Sequence, residues 1–180
     1  MNLLEIAKQE LIRSNADHRH PFKLLTLATV DTDHGRPQLR TVVKRNIDSD
    51  FKTLIYTDTR TRKVAQIKSN ERVSALWYHT KKKLQIRMEC KALLIDSDSD
   101  LHLLHLSKVK QSKSITDYTT ANPPGSPLDS DFVTHTPEIH FTLLQLLPET
   151  IEVLQLSREG HQRAMYSLQN GTWAETQLVP

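Results

Sequence analysis

The sequence predicts a mainly β fold, an antiparallel split or closed β-barrel with flanking helices. Three observations predict it. Short segments alternate at the two-residue period of strands and are rich in β-branched and aromatic residues. Their connections are short and made of turn formers, which favours antiparallel neighbours over a parallel α/β sheet. GxGxxG and GxxxxGK[ST] are both absent, so dinucleotide and P-loop folds lack their phosphate loops.

Taken in order, residues 3 to 13 place Leu3, Leu4, Ile6, Ala7, Leu11 and Ile12 on one side of a helix, with Glu5, Lys8, Gln9 and Arg13 opposite. A His-rich turn, Asp17 to Pro21, precedes three strand-like runs, FKLLTLATV, PQLRTVVKR and FKTLIYTDT. The turn segments DTDHGRP (31–37) and NIDSD (46–50) join them. Thr61 to Ser69 reads as a helix capped by Thr59 or Thr61. ERVSALWYHT and KKKLQIRMECKALLI follow as two more strands, the second alternating around Leu84, Ile86 and Met88. The polar cluster 96–99 starts a helix on which Leu101, Leu104 and His105 share a face up to about Lys110. Residues 111–130, with few core candidates, read as a surface excursion or mobile flap. HFTLLQLLP, ETIEVLQLS, HQRAMYSL and TWAETQLVP return to strand texture, with Asn170-Gly171 marking a tight hairpin. The expectation is one domain over 1–180, with seven to nine strands and two or three helices.

Composition bounds the function. The chain has 180 residues, 37% of them hydrophobic, enough for a core at this size. None of its apolar runs approaches the ~20 residues of a membrane helix. Charges thread the N-terminus, unlike a secretory signal, and Cys90 as the single cysteine precludes a disulfide framework or thiolate zinc site within one chain. A cytoplasmic location is therefore expected. The 24 Lys+Arg against 21 Asp+Glu leave a net charge of +3, a weak field for polyanions, so an anionic small ligand suits the chain as well as nucleic acid does.

Three constellations carry chemistry. The run Arg40-Thr-Val-Val-Lys-Arg45 puts Arg40 and Lys44 on one strand face and Arg45 on the other. A guanidinium fork suits a phosphate or a heterocycle's carbonyl edge, although solvated cations on an exposed strand are the simpler reading. Tyr56 to Lys63 runs from a strand end into a helix start, where hydroxyls, free N–H groups and adjacent cations favour a phosphate; a capped surface helix is the bland alternative. In Leu84 to Glu89, Gln85, Arg87 and Glu89 share a face, and the amide can both donate and accept at a ring edge.

The order RTVVKR, YTDTRTRK, LQIRMEC, spaced by about fifteen to twenty residues, resembles the FMN-binding core of the pyridoxamine 5′-phosphate oxidase-like split barrels over at least residues 22–95. The resemblance implies that Arg40, Thr41, Val42, Val43 and Arg45 contact the flavin and its phosphate. It assigns Tyr56 and Thr57 to the cofactor, Arg62 and Lys63 to its phosphate, and Gln85 to its ring. The closing strands IEVLQL, HQR and TWAETQLVP are similar to the family's too, with Arg163 as the flavin-contacting arginine supplied by a partner subunit. A homodimer with FMN at the interface is thus implied. With Arg40 or Arg45, Gln85 is the expected stabiliser of negative charge on the reduced ring.

The departures narrow the activity. True oxidases have Trp at Leu154, Arg-Leu-His-Asp-Arg at Glu159 to Arg163 and Gly at Cys90, and residues 111–130 here lack their substrate-binding Tyr, Arg and Ser pattern. The chain resembles the oxidase-related FMN proteins more than the vitamin B6 oxidase itself. The leading reading is an FMN-dependent oxidoreductase acting on an unidentified small molecule. The alternatives are a non-catalytic flavin-binding or storage protein and, further off, a basic β-barrel nucleic-acid binder using Lys81 to Lys83. His18 and His20, or His102 and His105, have no carboxylate or cysteine at metal spacing, so no metal is expected. Cys90 reads as a small core residue, and Trp77, Tyr78 and Trp173 as packing residues or flavin neighbours.

Overall fold

The computed structural model describes residues 2–128 and 131–180. Helix α1 (Leu3–Ala16) opens the chain, its first turn closed by the Asn2 side chain accepting the Glu5 N–H at 2.9 Å. Strands β1 (Leu24–Asp31), β2 (Arg36–Ile47) and β3 (Thr53–Asp58) follow, then α2 (Arg62–Ser69), β4 (Arg72–His79), β5 (Leu84–Leu94) and α3 (Asp100–Lys110). Strands β6 (Phe141–Gln155), β7 (Gln162–Gln169) and β8 (Thr172–Leu178) complete the order. All pairings are antiparallel, in the order β3-β2-β1-β4-β5-β6-β7-β8. The N-terminal half of β6 also pairs with β3, so six strands close into a barrel and β7 and β8 extend from its rim.

Alternation decides what fills the barrel. Leu25, Leu27, Ile55, Ala75, Trp77, Leu84, Ile86, Met88, Ile151 and Val153 point inward and are buried, and α1 stoppers one end with Ala7 and Leu11. Cys90 belongs to this core. The Asn170-Gly171 hairpin forms as its sequence requires, with φ of 49° and 79°.

Several expectations need correction. On α3, His102, His105 and Val109 turn inward while Leu101, Leu103 and Leu104 stay exposed. Ring contacts decide this rotation, since His102 packs on Phe141 at 5.2 Å and His105 on Tyr56 at 5.4 Å. With Tyr118 they roof the outer side of β3 and β6 in a second small core. The two segments split at Pro148 are one 15-residue strand, β6. Pro148 sits beside a register shift at Glu89/Cys90, where the ladder is already interrupted and a missing N–H is tolerated. Lys44 is no surface cation either. It is 0% exposed, and its ammonium donates to Asn15 Oδ1 at 2.5 Å.

The excursion is anchored at its start. Lys113–Tyr118 forms a 3-10 turn that buries Tyr118. Arg60, paired with Asp58 at 2.8 Å, donates to the carbonyls of Thr120 at 2.9 Å and Ala121 at 3.1 Å. Residues 121–128 are exposed, and the last two positions of the expected flap, 129 and 130, lie outside the described residues.

Candidate functional site

The β3 to α2 junction builds a cationic cradle. Arg40 pairs with Leu27 in the β1–β2 register and so projects on the core-facing side of β2 toward α2. Its guanidinium donates to the Leu27 carbonyl at 3.2 Å, Thr29 Oγ1 at 2.7 Å and Gln66 Oε1 at 3.2 Å, all uncharged oxygens. Lys63, in the first turn of α2, donates to Thr57 Oγ1 at 2.9 Å, again an uncharged oxygen. Among the described residues neither cation forms an ion pair. Burial and the nearby Arg40 lower the Lys63 pKa, opposed by Asp58, and burial lowers that of Arg40. Thr61 caps α2 by position only, because its hydroxyl donates back to the Asp58 carbonyl at 2.9 Å. The N–H groups of Arg62 and Lys63 are left without a protein acceptor among the described residues, as at most helix starts. Two half-buried cations, an extra hydroxyl and open N–H groups fit a phosphate dianion. Arg62 itself is exposed beside this cradle.

Arg45 goes elsewhere. The register slips between Lys44 and Asn46, so Arg45 is the extra residue of a β-bulge, which re-aims its side chain. Its guanidinium lies over the Tyr56 ring at 4.6 Å, while Tyr56 Oη meets His105 Nδ1 at 2.5 Å. Burial raises the Tyr56 pKa against the opposing Arg45, and burial, Lys108 and His102 lower that of His105. These residues border a cavity of about 560 Å³ whose wall includes Lys23, Arg45, Lys108, His18, His105 and Ser112 but, among the described residues, no carboxylate. Nearby Lys44 is pushed down to about 8 by burial and Lys23.

The remaining expected contacts lie on the outward sheet face. Thr41 and Val43 of β2 face the same way as Thr26 and Leu24 of β1. Across the sheet, Gln85 registers with Tyr78 on one side and Leu154 on the other, and Leu154 registers with Arg163. Val42, by contrast, packs against the core. Because β3 also pairs with β6, β5 lies three strands from β2 in either direction around the barrel, and β7 extends beyond β6. One chain therefore gathers Arg40, Thr57 and Lys63 with Arg62 at their rim, holds Arg45 and Tyr56 at the adjoining cavity, and carries Gln85 and Arg163 on other strands. Arg163 is occupied by Glu152, through Nε at 3.0 Å and Nη2 at 2.7 Å, and the other carboxylate oxygen takes Arg87 at 2.6 Å.

One cluster was not visible in the sequence. Glu10, His20 and His79 converge from α1, the turn before β1, and β4, with ligand-capable atoms within 4.8 Å of one another. Its lone pairs are already used. Phe22 N–H donates to His20 Nδ1 at 3.1 Å, Lys82 N–H to His79 Nδ1 at 3.3 Å, and the Lys82 ammonium sits on Glu10 at 2.5 Å. Such imidazoles offer donor Nε2–H groups rather than metal ligands, so the cluster reads as a hydrogen-bonded brace. Separations of 10 and 59 positions gave no local signal.

The family model for the pyridoxamine 5′-phosphate oxidase FMN-binding domain matches residues 5–96, more than half the chain and the stretch that carries the cradle, the bulge and Gln85. The chain belongs to this family. Pyridoxine/pyridoxamine 5′-phosphate oxidase of Pseudomonas paraeruginosa is 27% identical over 168 residues, 87% of this chain and 77% of that one. A pyridoxamine 5′-phosphate oxidase-related, FMN-binding protein of Nostoc punctiforme superposes with a TM-score of 0.77 at 26% identity, over 100% of this chain and 98% of its own. PhzG of Burkholderia lata, solved with tetrahydrophenazine-1-carboxylic acid, shares the fold with a TM-score of 0.76 at 21% identity, over 98% and 92% of the two chains. The split-barrel fold of the family is thus this chain's fold. Among the described residues no helix is long and apolar enough to cross a membrane.

Proposed function

We propose that this chain is an FMN-dependent oxidoreductase of a small anionic molecule, acting as a cytoplasmic homodimer with FMN at the subunit interface. The observation that carries the reading is the uncompensated Arg40–Lys63 pair at the start of α2, a dianion site inside the segment matched by an FMN-binding domain. When bound, FMN supplies hydride and electron-transfer chemistry at its ring. Arg40, Lys63 and Thr57 hold its phosphate, Arg62 adds charge from the rim, and Thr41 and Val43 on the outward face of β2 give the ring a wall. Gln85 offers an amide that both donates to and accepts from the ring edge.

The cavity beside Arg45 supports the anionic substrate, since among the described residues Lys23, Arg45 and Lys108 there have no counter-charge. His105, its pKa lowered, stays neutral near pH 7 and can take a proton, with Tyr56 fixing its ring. Dimerisation is favoured by the outward sheet face, where Leu24, Leu39, Val43 and Tyr78 stand 52%, 65%, 37% and 47% exposed with no described element of the chain over them. A partner across that face would bring a second Arg163 within reach of the first subunit's cofactor.

The test is the near-ultraviolet and visible spectrum of purified protein, with chromatography of whatever is released. Flavin bands and released FMN are expected, lost in Arg62→Ala plus Lys63→Ala with the fold kept. A bare spectrum that stays bare after adding FMN refutes the proposal. Tight FMN that no pyridine nucleotide or other reductant turns over would instead make the chain a flavin carrier.

A further inference from the structure

The reading above gives Arg163 a flavin contact and leaves Glu152 without a role. Glu152 is 7% exposed, on the outward face of β6, where a carboxylate with no task would be strongly disfavoured. It is paired with Arg87 of β5 in the sheet register and is reached diagonally by Arg163 of β7, whose own register partner is Leu154. The contacts differ in kind. Arg87 gives Glu152 Oε2 a single contact from Nη2 at 2.6 Å. Arg163 gives Oε1 two contacts, from Nε at 3.0 Å and Nη2 at 2.7 Å. A planar guanidinium held through Nε and Nη2 has its orientation fixed, and its Nη1 donors project away from the carboxylate. Only 32% of the Arg163 side chain is exposed, so the held rotamer is also packed.

We infer that Glu152 is a positioning residue: it clamps Arg163 edge-on so that Nη1 is presented to the FMN of the partner subunit. This rests on the proposed flavin contact of Arg163. Arg87 keeps the clamp from being over-neutralised in the other direction, since one carboxylate shared by two guanidiniums leaves a net positive charge facing the ring. Glu152 touches neither cofactor nor substrate in this scheme and acts through Arg163 alone.

The experiment uses holoprotein of wild type, Arg163→Ala, Glu152→Gln and the double variant. It reads FMN dissociation by flavin fluorescence and the midpoint potential of the bound flavin, with gel filtration confirming that each variant keeps the wild-type oligomeric state. The expected result is weaker FMN binding in Arg163→Ala, about tenfold, with a lower potential because a positive charge near the ring is lost. Glu152→Gln should weaken FMN binding by a smaller factor, while the potential moves up rather than down because a negative charge is removed. The double variant should match Arg163→Ala in FMN affinity, which a merely structural Glu152 would not produce. If Glu152→Gln fails to fold, Glu152→Asp, which keeps the charge and shortens the reach, is expected to give the same partial loss of affinity. Wild-type affinity in the Glu152 variants, with Arg163→Ala impaired, overturns the clamp and leaves the flavin contact standing. Wild-type behaviour of Arg163→Ala overturns the flavin contact itself, and the clamp with it.

Discussion

Arg40 of β2 and Arg163 of β7 belong to the same sheet, and the family resemblance gives both to one cofactor, yet the chain treats them differently. Arg40 donates to a carbonyl, a hydroxyl and an amide oxygen, sits beside Lys63, and among the described residues has no carboxylate at ion-pair distance. Arg163 is held by the buried carboxylate of Glu152. The first arrangement is costly without a ligand, because two half-buried cations repel each other. The second is satisfied without one. Cations left without counter-charge mark where an anion must come from outside the chain, and paired cations mark where the chain fixes a geometry in advance.

The largest test of this contrast is at Lys63. Lys63→Ala is expected to weaken FMN binding roughly 10- to 150-fold, the equivalent of about 1.5–3 kcal/mol for a charge-assisted contact, measured by flavin fluorescence titration. Arg62→Ala, at an exposed position, should cost far less. Equal losses would place the phosphate at the rim rather than in the cradle.

Stability of the FMN-free protein sharpens the contrast next. Arg163→Ala removes a partner from a buried carboxylate and should lower unfolding free energy by about 1–2 kcal/mol, discounted because Arg87 remains and is itself half exposed. Lys63→Met should leave the melting temperature unchanged or higher while abolishing its rise on adding FMN. Calorimetry with and without FMN reads both, and a large loss in Lys63→Met would show that Lys63 is structural.

Lys44 is a cation of another sort, fully buried with Asn15 Oδ1 as its acceptor. Its folded pKa of about 8 lies below the 10.5 of an unfolded lysine, so the unfolded chain binds more protons between those values. Stability from this group therefore rises as pH climbs from about 8 to about 10.5, by at most about 3 kcal/mol. Cys90 works the other way. Burial and the nearby Glu149 and Glu89 push its thiol up to about 12, so stability falls above pH 9, where an unfolded thiol ionises. The wild-type minus Lys44→Met difference curve from urea unfolding isolates the lysine, and a flat difference would refute the assignment. Asn15 Oδ1 keeps the Ile47 N–H at 3.1 Å in that variant, so no orphan acceptor confuses it.

The smallest effect is expected at Arg60, a paired cation. Arg60→Ala should leave FMN affinity unchanged and speed limited proteolysis within 119–128, because its contacts to Thr120 and Ala121 tie that segment to the turn between β3 and α2. A loss of FMN affinity would show that the paired Arg60 also serves the phosphate.

Much of the fold was legible because its signals are local. Alternation in LQIRMEC put Gln85 and Arg87 on one face, Asn170-Gly171 fixed a hairpin, and Thr57 with Lys63 fell at a strand end and helix start, where they do meet. The rotation of α3 was not legible, since Leu101 and Leu104 look more apolar than His102 and His105 until Phe141 and Tyr56 are known to lie beneath. Nor was the bulge at Arg45, which needs the β3 register, nor the Glu10–His20–His79 brace, whose members come from three elements.

The sequence by itself determined the strand and helix content, the antiparallel connections, and which residue types stand at the phosphate-binding turn, because each follows from periodicity and chemistry within a few residues. Only the tertiary structure decided which cations are compensated. Arg40, Arg45, Lys44 and Arg163 are all simply cations in the sequence, and their difference is set by neighbours 11 to 29 positions away, in the contacts to Thr29, Tyr56, Asn15 and Glu152. Charge balance in a folded protein depends on distance through space and on burial, and neither is written along the chain.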